Sequence, residues 1–233
     1  MKTTRTKTIH KRINTGHLIV HLALLAGIVV VVFPFLWMLL TSFKTTGESL
    51  KIPPTFFPEK WTLEAYKTIT SSTIPFGTVY LNTILSAVIT TVVQIVFCSM
   101  AGYAFARIEF PFKNFIFVLL LSVLMVPGQI FLLPQYQLIQ KMGLLNTIPA
   151  LFLPNLFSAF GTFLLRQFFM SMPQELEDAA IVDGCNRFQI FGRIMVPLIQ
   201  PGIAALTIFT FKFAWNDFMW PLIVNNSMDK LIL

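Results

Sequence analysis

Long apolar stretches separated by short polar segments dominate the hydrophobic pattern of the chain, and four of the five stretches contain no Asp, Glu, Lys or Arg. At about 1.5 Å per residue, the first stretch forms a helix of about 36 Å, which is long enough to cross a hydrocarbon core of about 30 Å. The pattern therefore predicts an all-α membrane protein, a polytopic helical bundle with five spans. The predicted spans are about 18–41, 81–106, 115–133, 148–165 and 198–224.

The polar segments complete the predicted organisation. A basic N-terminus, 1–17, precedes a transmembrane domain that occupies 18–233. The loop after the first span is punctuated by prolines and has room for one short helix at about 63–69. A second polar insertion, 166–197, separates the fourth and fifth spans.

Composition agrees with a membrane protein, since 55% of the residues are hydrophobic and only 12% are charged. Soluble domains are about 45–50% apolar and about a quarter charged. Two cysteines are too few for a disulfide-stapled secreted domain. The net charge of +7 would suggest nucleic acid in a soluble protein, but in a membrane protein it orients the chain, so no nucleic-acid partner is expected.

The distribution of Lys and Arg residues between the polar segments predicts the orientation of the chain in the membrane. With a cytoplasmic N-terminus, ten of them lie inside and six outside, while Lys212 falls within the fifth span. This bias favours a cytoplasmic N-terminus and places the loop 166–197 on the cytoplasmic side. Five spans then leave the C-terminus outside, and we expect a sixth span beyond residue 233; a five-span protein is the alternative.

The loop 171–197 has the pattern of two short helices joined by a turn. Ser171 can cap the first helix and forms a capping-box pattern with Gln174. Gly184 ends that helix, because glycine readily adopts the left-handed conformation found after a helix. Asn186 and Gln189 can begin the second helix. Read without further information, this is a common surface element.

The residues Glu177-Asp178-Ala179-Ala180, followed by Asp183-Gly184 and later by Pro197, resemble the "EAA" signature of permease subunits in binding-protein-dependent ABC importers. The signature usually reads Glu-Ala-Ala, whereas Asp178 stands directly before the alanines here. Three other segments are similar to the smaller of the two permeases in the carbohydrate-uptake branch: Pro53–Pro58, Val126–Gln129 and Trp215–Pro221.

The resemblance implies a type I importer permease in a bacterial or archaeal plasma membrane. Its partners would be a cytoplasmic ABC ATPase dimer, a second homologous permease, an extracytoplasmic solute-binding protein and the lipid bilayer. The chain itself would be no enzyme, and it has no Gly-x-x-x-x-Gly-Lys phosphate loop. The expected ATPase-docking residues are Glu177, Asp178, Ala179, Ala180, Asp183, Gly184 and Pro197. The solute would be a sugar or a related compound, with glycerol phosphates and oligosaccharides both open.

Three polar residues of the fifth span, Lys212, Asn216 and Asp217, are candidates for the translocation path, because ionisable groups at membrane depth normally face the protein interior or water. A structural role for Lys212 is an equal alternative. Prolines and glycines interrupt the third and fourth spans, which indicates either hinges near a cavity or simple helix bending.

No other chemistry is expected. The three histidines lack a metal-ligand spacing, so we expect no metal, no cofactor and no catalytic residue. An ion-gradient-driven secondary transporter is an alternative function, although it would need intramembrane acids and only Asp217 is available. A membrane scaffold that transports nothing is the third alternative.

Overall fold

The structure is a computed structural model that describes residues 15–71 and 75–232. Every regular element within these residues is helical. They form two compact units, 15–71 and 75–232, which are described separately. Most of the predicted basic N-terminus lies outside the described residues, which begin with the first helix at Thr15.

The first unit consists of one long helix, a folded loop and a short helix. Its helices are α1 Thr15–Ser42, α2 Thr46–Ser49 and α3 Glu64–Ser71. The predicted span 18–41 lies within α1, which is apolar along its length and has no buried side chains in its most hydrophobic window. A helix that is hydrophobic on every side is suited to lipid. The short helix predicted at 63–69 is confirmed as α3, shifted by a residue or two.

The loop after α1 folds around a buried carboxylate. Glu48 accepts hydrogen bonds from the backbone N–H of Glu59 and from the hydroxyl of Thr55, each at 2.8 Å. The Glu59 N–H is the main reason why the pKa of Glu48 lies below its usual range. Lys44 is also buried; its ammonium donates to the Thr55 carbonyl oxygen and lies 4.9 Å from the centroid of the Trp37 ring.

The second unit contains ten α-helices, four 3₁₀ segments and one π-helical segment among its described residues. The α-helices are α4 Phe76–Arg107, α5 Lys113–Ser122, α6 Leu132–Lys141, α7 Ile148–Phe152, α8 Ala159–Met170, α9 Glu175–Val182, α10 Arg187–Gln189, α11 Val196–Leu198, α12 Gln200–Trp215 and α13 Met219–Val224. The 3₁₀ turns are Val123–Met125, Gly128–Phe131, Leu153–Asn155 and Met228–Lys230, and a π-helical segment covers Ile190–Met195.

Helix α4 is the centre of this unit, because it packs against both α8 and α12. Two glycines let α4 and α8 approach closely. A Cβ added at Gly102 on α4 would lie 3.0 Å from the backbone nitrogen of Arg166 on α8, and one added at Gly161 on α8 would lie 2.9 Å from the Cys98 sulfur on α4. Such small-residue contacts are typical of helix packing in membranes.

Polar side chains on the buried face of α4 tie it to its neighbours. Gln94 donates to the backbone oxygen of Asn155 at 2.8 Å and accepts from the Thr210 hydroxyl at 2.5 Å. Asn82 donates to the backbone oxygens of Asp229 and Leu231. Because lipid offers no hydrogen-bond partners, these internal bonds satisfy groups that would otherwise be costly to bury.

The third and fourth predicted spans are bent in the structure. Segments Lys113–Met125 and Gly128–Lys141 meet at 100°, and segments Ile148–Asn155 and Ala159–Met170 meet at 49°. At the first break Pro127 excludes the helical conformation from Val126, which is extended with φ −92° and ψ 126°. With each bent pair counted as one span, the described residues contain up to five candidate spans.

The fifth predicted span, 198–224, is also discontinuous. Segments Arg187–Leu198 and Gln200–Trp215 meet at 77° before Pro201, which lies in the first turn of α12. Helix α12 then ends at Trp215, and α13 begins only at Met219. At this second break the side chain of Asn216 donates to the Lys212 carbonyl oxygen at 2.7 Å. A prediction from hydrophobic length alone could not detect either interruption.

We expect Gly102→Leu to destabilise the second unit, because the new side chain would collide with the backbone of α8. Overpacking of this kind costs about 1–3 kcal/mol. Gly77→Leu is the matched control, since Gly77 lies on the same helix and no atom of a described residue lies within 4 Å of a Cβ added there. Thermal unfolding in detergent measures the effect, and equal melting temperatures for the two variants would contradict the packing described here.

Candidate functional site

The segment between α8 and α12 folds as two short helices joined by a turn. The turn at Gly184 is confirmed, because its φ is +82°, in the left-handed region that favours glycine. The predicted start of the second helix is also confirmed. Asn186 and Gln189 form a reciprocal capping box, in which each side chain accepts the other residue's backbone N–H at 2.8–2.9 Å. These local bonds fix the shape of the turn.

The prediction that Ser171 caps the first of these helices is wrong. Helix α8 extends to Met170, so Ser171 lies at its C-terminal end, where its hydroxyl donates to the Phe168 carbonyl oxygen at 2.8 Å. Helix α9 begins after Gln174, whose side chain makes no capping bond. Acidic residues in the first turn of α9 are favourable against the helix dipole instead.

Glu177 is the centre of a buried charge cluster on the inner face of α9. Its side chain is 5% exposed, and its two carboxylate oxygens lie 3.3 Å from Arg107 Nε and 3.3 Å from Arg187 Nη1. The Tyr103 hydroxyl lies 3.5 Å away. Two cations around one carboxylate offset the cost of removing it from water.

Arg107 extends this cluster to two further helices. It is the last residue of α4, and its Nη2 donates to the backbone oxygens of Phe169, at 2.8 Å, and Met172. Phe169 belongs to the last turn of α8, and Met172 follows the end of that helix by two residues. One guanidinium therefore joins the ends of α4 and α8 to the start of α9.

The predicted docking residues divide between two faces of the loop. Glu177 and Ala180 are buried and point inward, whereas Asp178, Ala179, Asp183 and Gly184 are exposed together on the outer side. Pro197 is exposed but lies in α11, beyond the π-helical segment.

Large apolar side chains, which the sequence reasoning did not select, accompany the exposed acids. Ile181 and Val182 on α9 and Phe188 on α10 are 46%, 87% and 80% exposed. Exposed apolar residues rimmed by polar ones are typical of a protein interaction surface. Helical spacing could have indicated this division, since residues 177 and 180 share one face and residues 178, 181 and 182 share another.

The predicted path residues lie together at the other break in the fifth span. Lys212, Asn216 and Asp217 line one cavity of about 600 Å³, with the aromatic rings of Phe209, Phe213 and Phe218. Lys212 forms no ion pair with any residue that the structure describes. The described residues also contain no group of three His, Cys, Asp or Glu side chains that could hold a metal ion.

Comparison with known proteins identifies the family to which the chain belongs. Residues 94–232 match the family model described as "Binding-protein-dependent transport system inner membrane component". The arabinooligosaccharides transport system permease protein of Halalkalibacterium halodurans is 37% identical over 88% of this chain and 74% of that protein. The diacetylchitobiose uptake system permease protein of Streptomyces coelicolor is 36% identical over 91% of this chain and 70% of that protein.

A solved structure has the same fold. It is the crystal structure of a bacterial ABC transporter involved in the import of the acidic polysaccharide alginate. The match has a TM-score of 0.81 at 21% sequence identity and covers 98% of this chain and 80% of that one. The fold is therefore that of a type I ABC importer permease, an all-helical membrane protein.

We expect Glu177→Gln to loosen the loop, because the neutral amide leaves the buried Arg107 without its counter-charge. Removing one partner of a buried ion pair costs on the order of 3 kcal/mol. Hydrogen–deuterium exchange of residues 172–190 measures the loosening. Glu175→Gln on the same helix is the control, since Glu175 is exposed and makes no ion pair with any other described residue. Equal exchange in both variants would contradict a clamping role for Glu177.

Proposed function

The chain belongs to the family of binding-protein-dependent transport system inner membrane components, and from that premise we propose that it is one of two permease subunits in an ATP-driven sugar importer. It forms half of the translocation path and couples to a cytoplasmic ABC ATPase through the loop 171–197. An extracytoplasmic solute-binding protein delivers the solute. The two relatives are named for the transport of arabinooligosaccharides and of diacetylchitobiose, which supports a carbohydrate as the solute.

The observation that carries the coupling role is the buried charge cluster around Glu177. A loop that transmits a displacement from a partner subunit must be rigid, and it must be attached to the helices that move. Arg107 supplies the attachment, because it contacts the ends of α8 and α9 from the end of α4. Displacement of α9 by a closing ATPase dimer would therefore move α4 and α8 with it, and rigid-body motion of this kind can alternate the access to a central site.

The exposed face of α9 and its turn is the proposed docking surface. Asp178, Ala179, Ile181, Val182 and Asp183 share it, and the small side chain of Ala179 leaves room for a close approach by the partner. Glu177 and Ala180 support this surface from behind and are not themselves available for contact. The positive-inside count supports its position on the cytoplasmic side.

Uptake into proteoliposomes that contain the complete complex separates this function from the alternatives. We expect uptake to stop when ATP is withdrawn and to continue when ionophores collapse the ion gradients. Loss of uptake with the ionophores alone would favour a secondary transporter. Absence of uptake under every condition would favour a scaffold.

A cross-linking arm of the same experiment tests the docking surface. We expect Val182→Cys, made together with Cys185→Ser, to be captured by the ATPase subunit, since Val182 is 87% exposed. Glu109→Cys is the control, because the Glu109 side chain is 89% exposed and lies outside the loop. A capture yield no higher at position 182 than at position 109 would reject the docking surface.

A further inference from the structure

Breaks in three different helical segments meet at a single cavity of about 350 Å³. Gly128 and Gln129 follow the Pro127 break, Asn155 ends the segment before the second bend, and Asp217 lies between α12 and α13. All four residues line the cavity. Irregular backbone at membrane depth is tolerated where it lines a cavity, and discontinuous helices of this kind form the solute sites of many transporters.

The polar side chains of this cavity are free to bind a ligand. The amides of Gln129, Gln135 and Asn155 form no hydrogen bond with any residue that the structure describes. The Asp217 carboxylate accepts one long hydrogen bond, from the backbone N–H of Trp220 at 3.4 Å. Gln94, by contrast, lines the neighbouring cavity, but both ends of its amide are already bonded. The three amides of Gln129, Gln135 and Asn155 therefore keep their hydrogen-bonding capacity for a partner other than the described residues.

The chemistry of the lining favours an uncharged, hydroxylated ligand. An amide both donates and accepts, as a sugar hydroxyl does, and a carboxylate can accept from a hydroxyl. The rings of Phe131 and Phe213 add apolar surface, which can cover the C–H face of a sugar ring. No Lys, Arg or His is among the described residues of the lining, and Lys212 belongs to the adjoining cavity. An anionic solute would meet only the negative charge of Asp217.

We propose that this cavity is a solute contact site in which Gln129, Gln135, Asn155 and Asp217 bind one end of a neutral oligosaccharide during its passage. The inference rests on the proposed transport function and adds to it a site and a substrate class. The cavity is at the lower end of the volumes typical of small-molecule sites, so it holds part of an oligosaccharide rather than the whole molecule.

The test compares Gln129→Leu and Asn155→Leu with Gln137→Leu in the complete reconstituted complex. Gln137 is an exposed glutamine of α6 that does not line the cavity, so its substitution matches the chemistry of the change without touching the site. The probes are arabinotriose, diacetylchitobiose and sn-glycerol 3-phosphate. We expect the wild type to import a neutral probe, and we expect Gln129→Leu and Asn155→Leu each to raise KM about tenfold, which corresponds to about 1.4 kcal/mol.

Co-purification of the ATPase should stay within twofold of wild type in all three variants, which excludes misfolding as the cause. Wild-type KM in both Gln129→Leu and Asn155→Leu would overturn the site while leaving the proposed function intact. Import of glycerol phosphate in place of both neutral sugars would overturn the substrate class. Absence of ATP-driven uptake of all three probes would contradict the proposed function itself.

Discussion

The contact between Glu177 and Arg107 is the interaction on which the rest of the arrangement depends. It joins residues 70 positions apart in the chain, at a place where both side chains are almost fully removed from solvent. Burying either charge alone would cost several kcal/mol, so the two must be buried together. That requirement fixes the inner face of α9 against the end of α4 and leaves Asp178, Ile181 and Val182 on the exposed side.

The hydrophobic pattern predicted five spans because the thickness of a bilayer imposes a similar length on every span, and the described residues contain up to five candidate spans when each bent pair is counted as one. It also located the interruption at Pro127, since a residue that precedes proline is excluded from the helical conformation. The gap between Trp215 and Met219 contains no proline or glycine. Its position depends on tertiary contacts such as that between Trp220 and the Ala150 carbonyl oxygen, which no local pattern can indicate.

In the loop 171–197, too, local contacts could be predicted from the sequence, whereas contacts between helices could not. Glycine at position 184 and the Asn186–Gln189 pair act through their own backbone neighbours, so the sequence was sufficient to predict the turn. The orientation of Glu177 depends on Arg107, which belongs to a different helix. Helical spacing places Glu177 and Asp178 on different faces of α9, but only the packed structure shows that the face with Glu177 is the inward one.

One unbroken helix connects the charge cluster with the cavities. Helix α4 continues from Gln94 to Arg107 without interruption, a distance of about 20 Å at 1.5 Å per residue. Gln94 holds the backbone of Asn155 and the hydroxyl of Thr210, on two segments that adjoin the helix breaks. A continuous helix that is held through Gln94 near its middle and through Arg107 at its end can transmit a displacement along its axis. In the proposed function, this contrast between one continuous helix and three interrupted segments is what would let a displacement of the loop change the cavity.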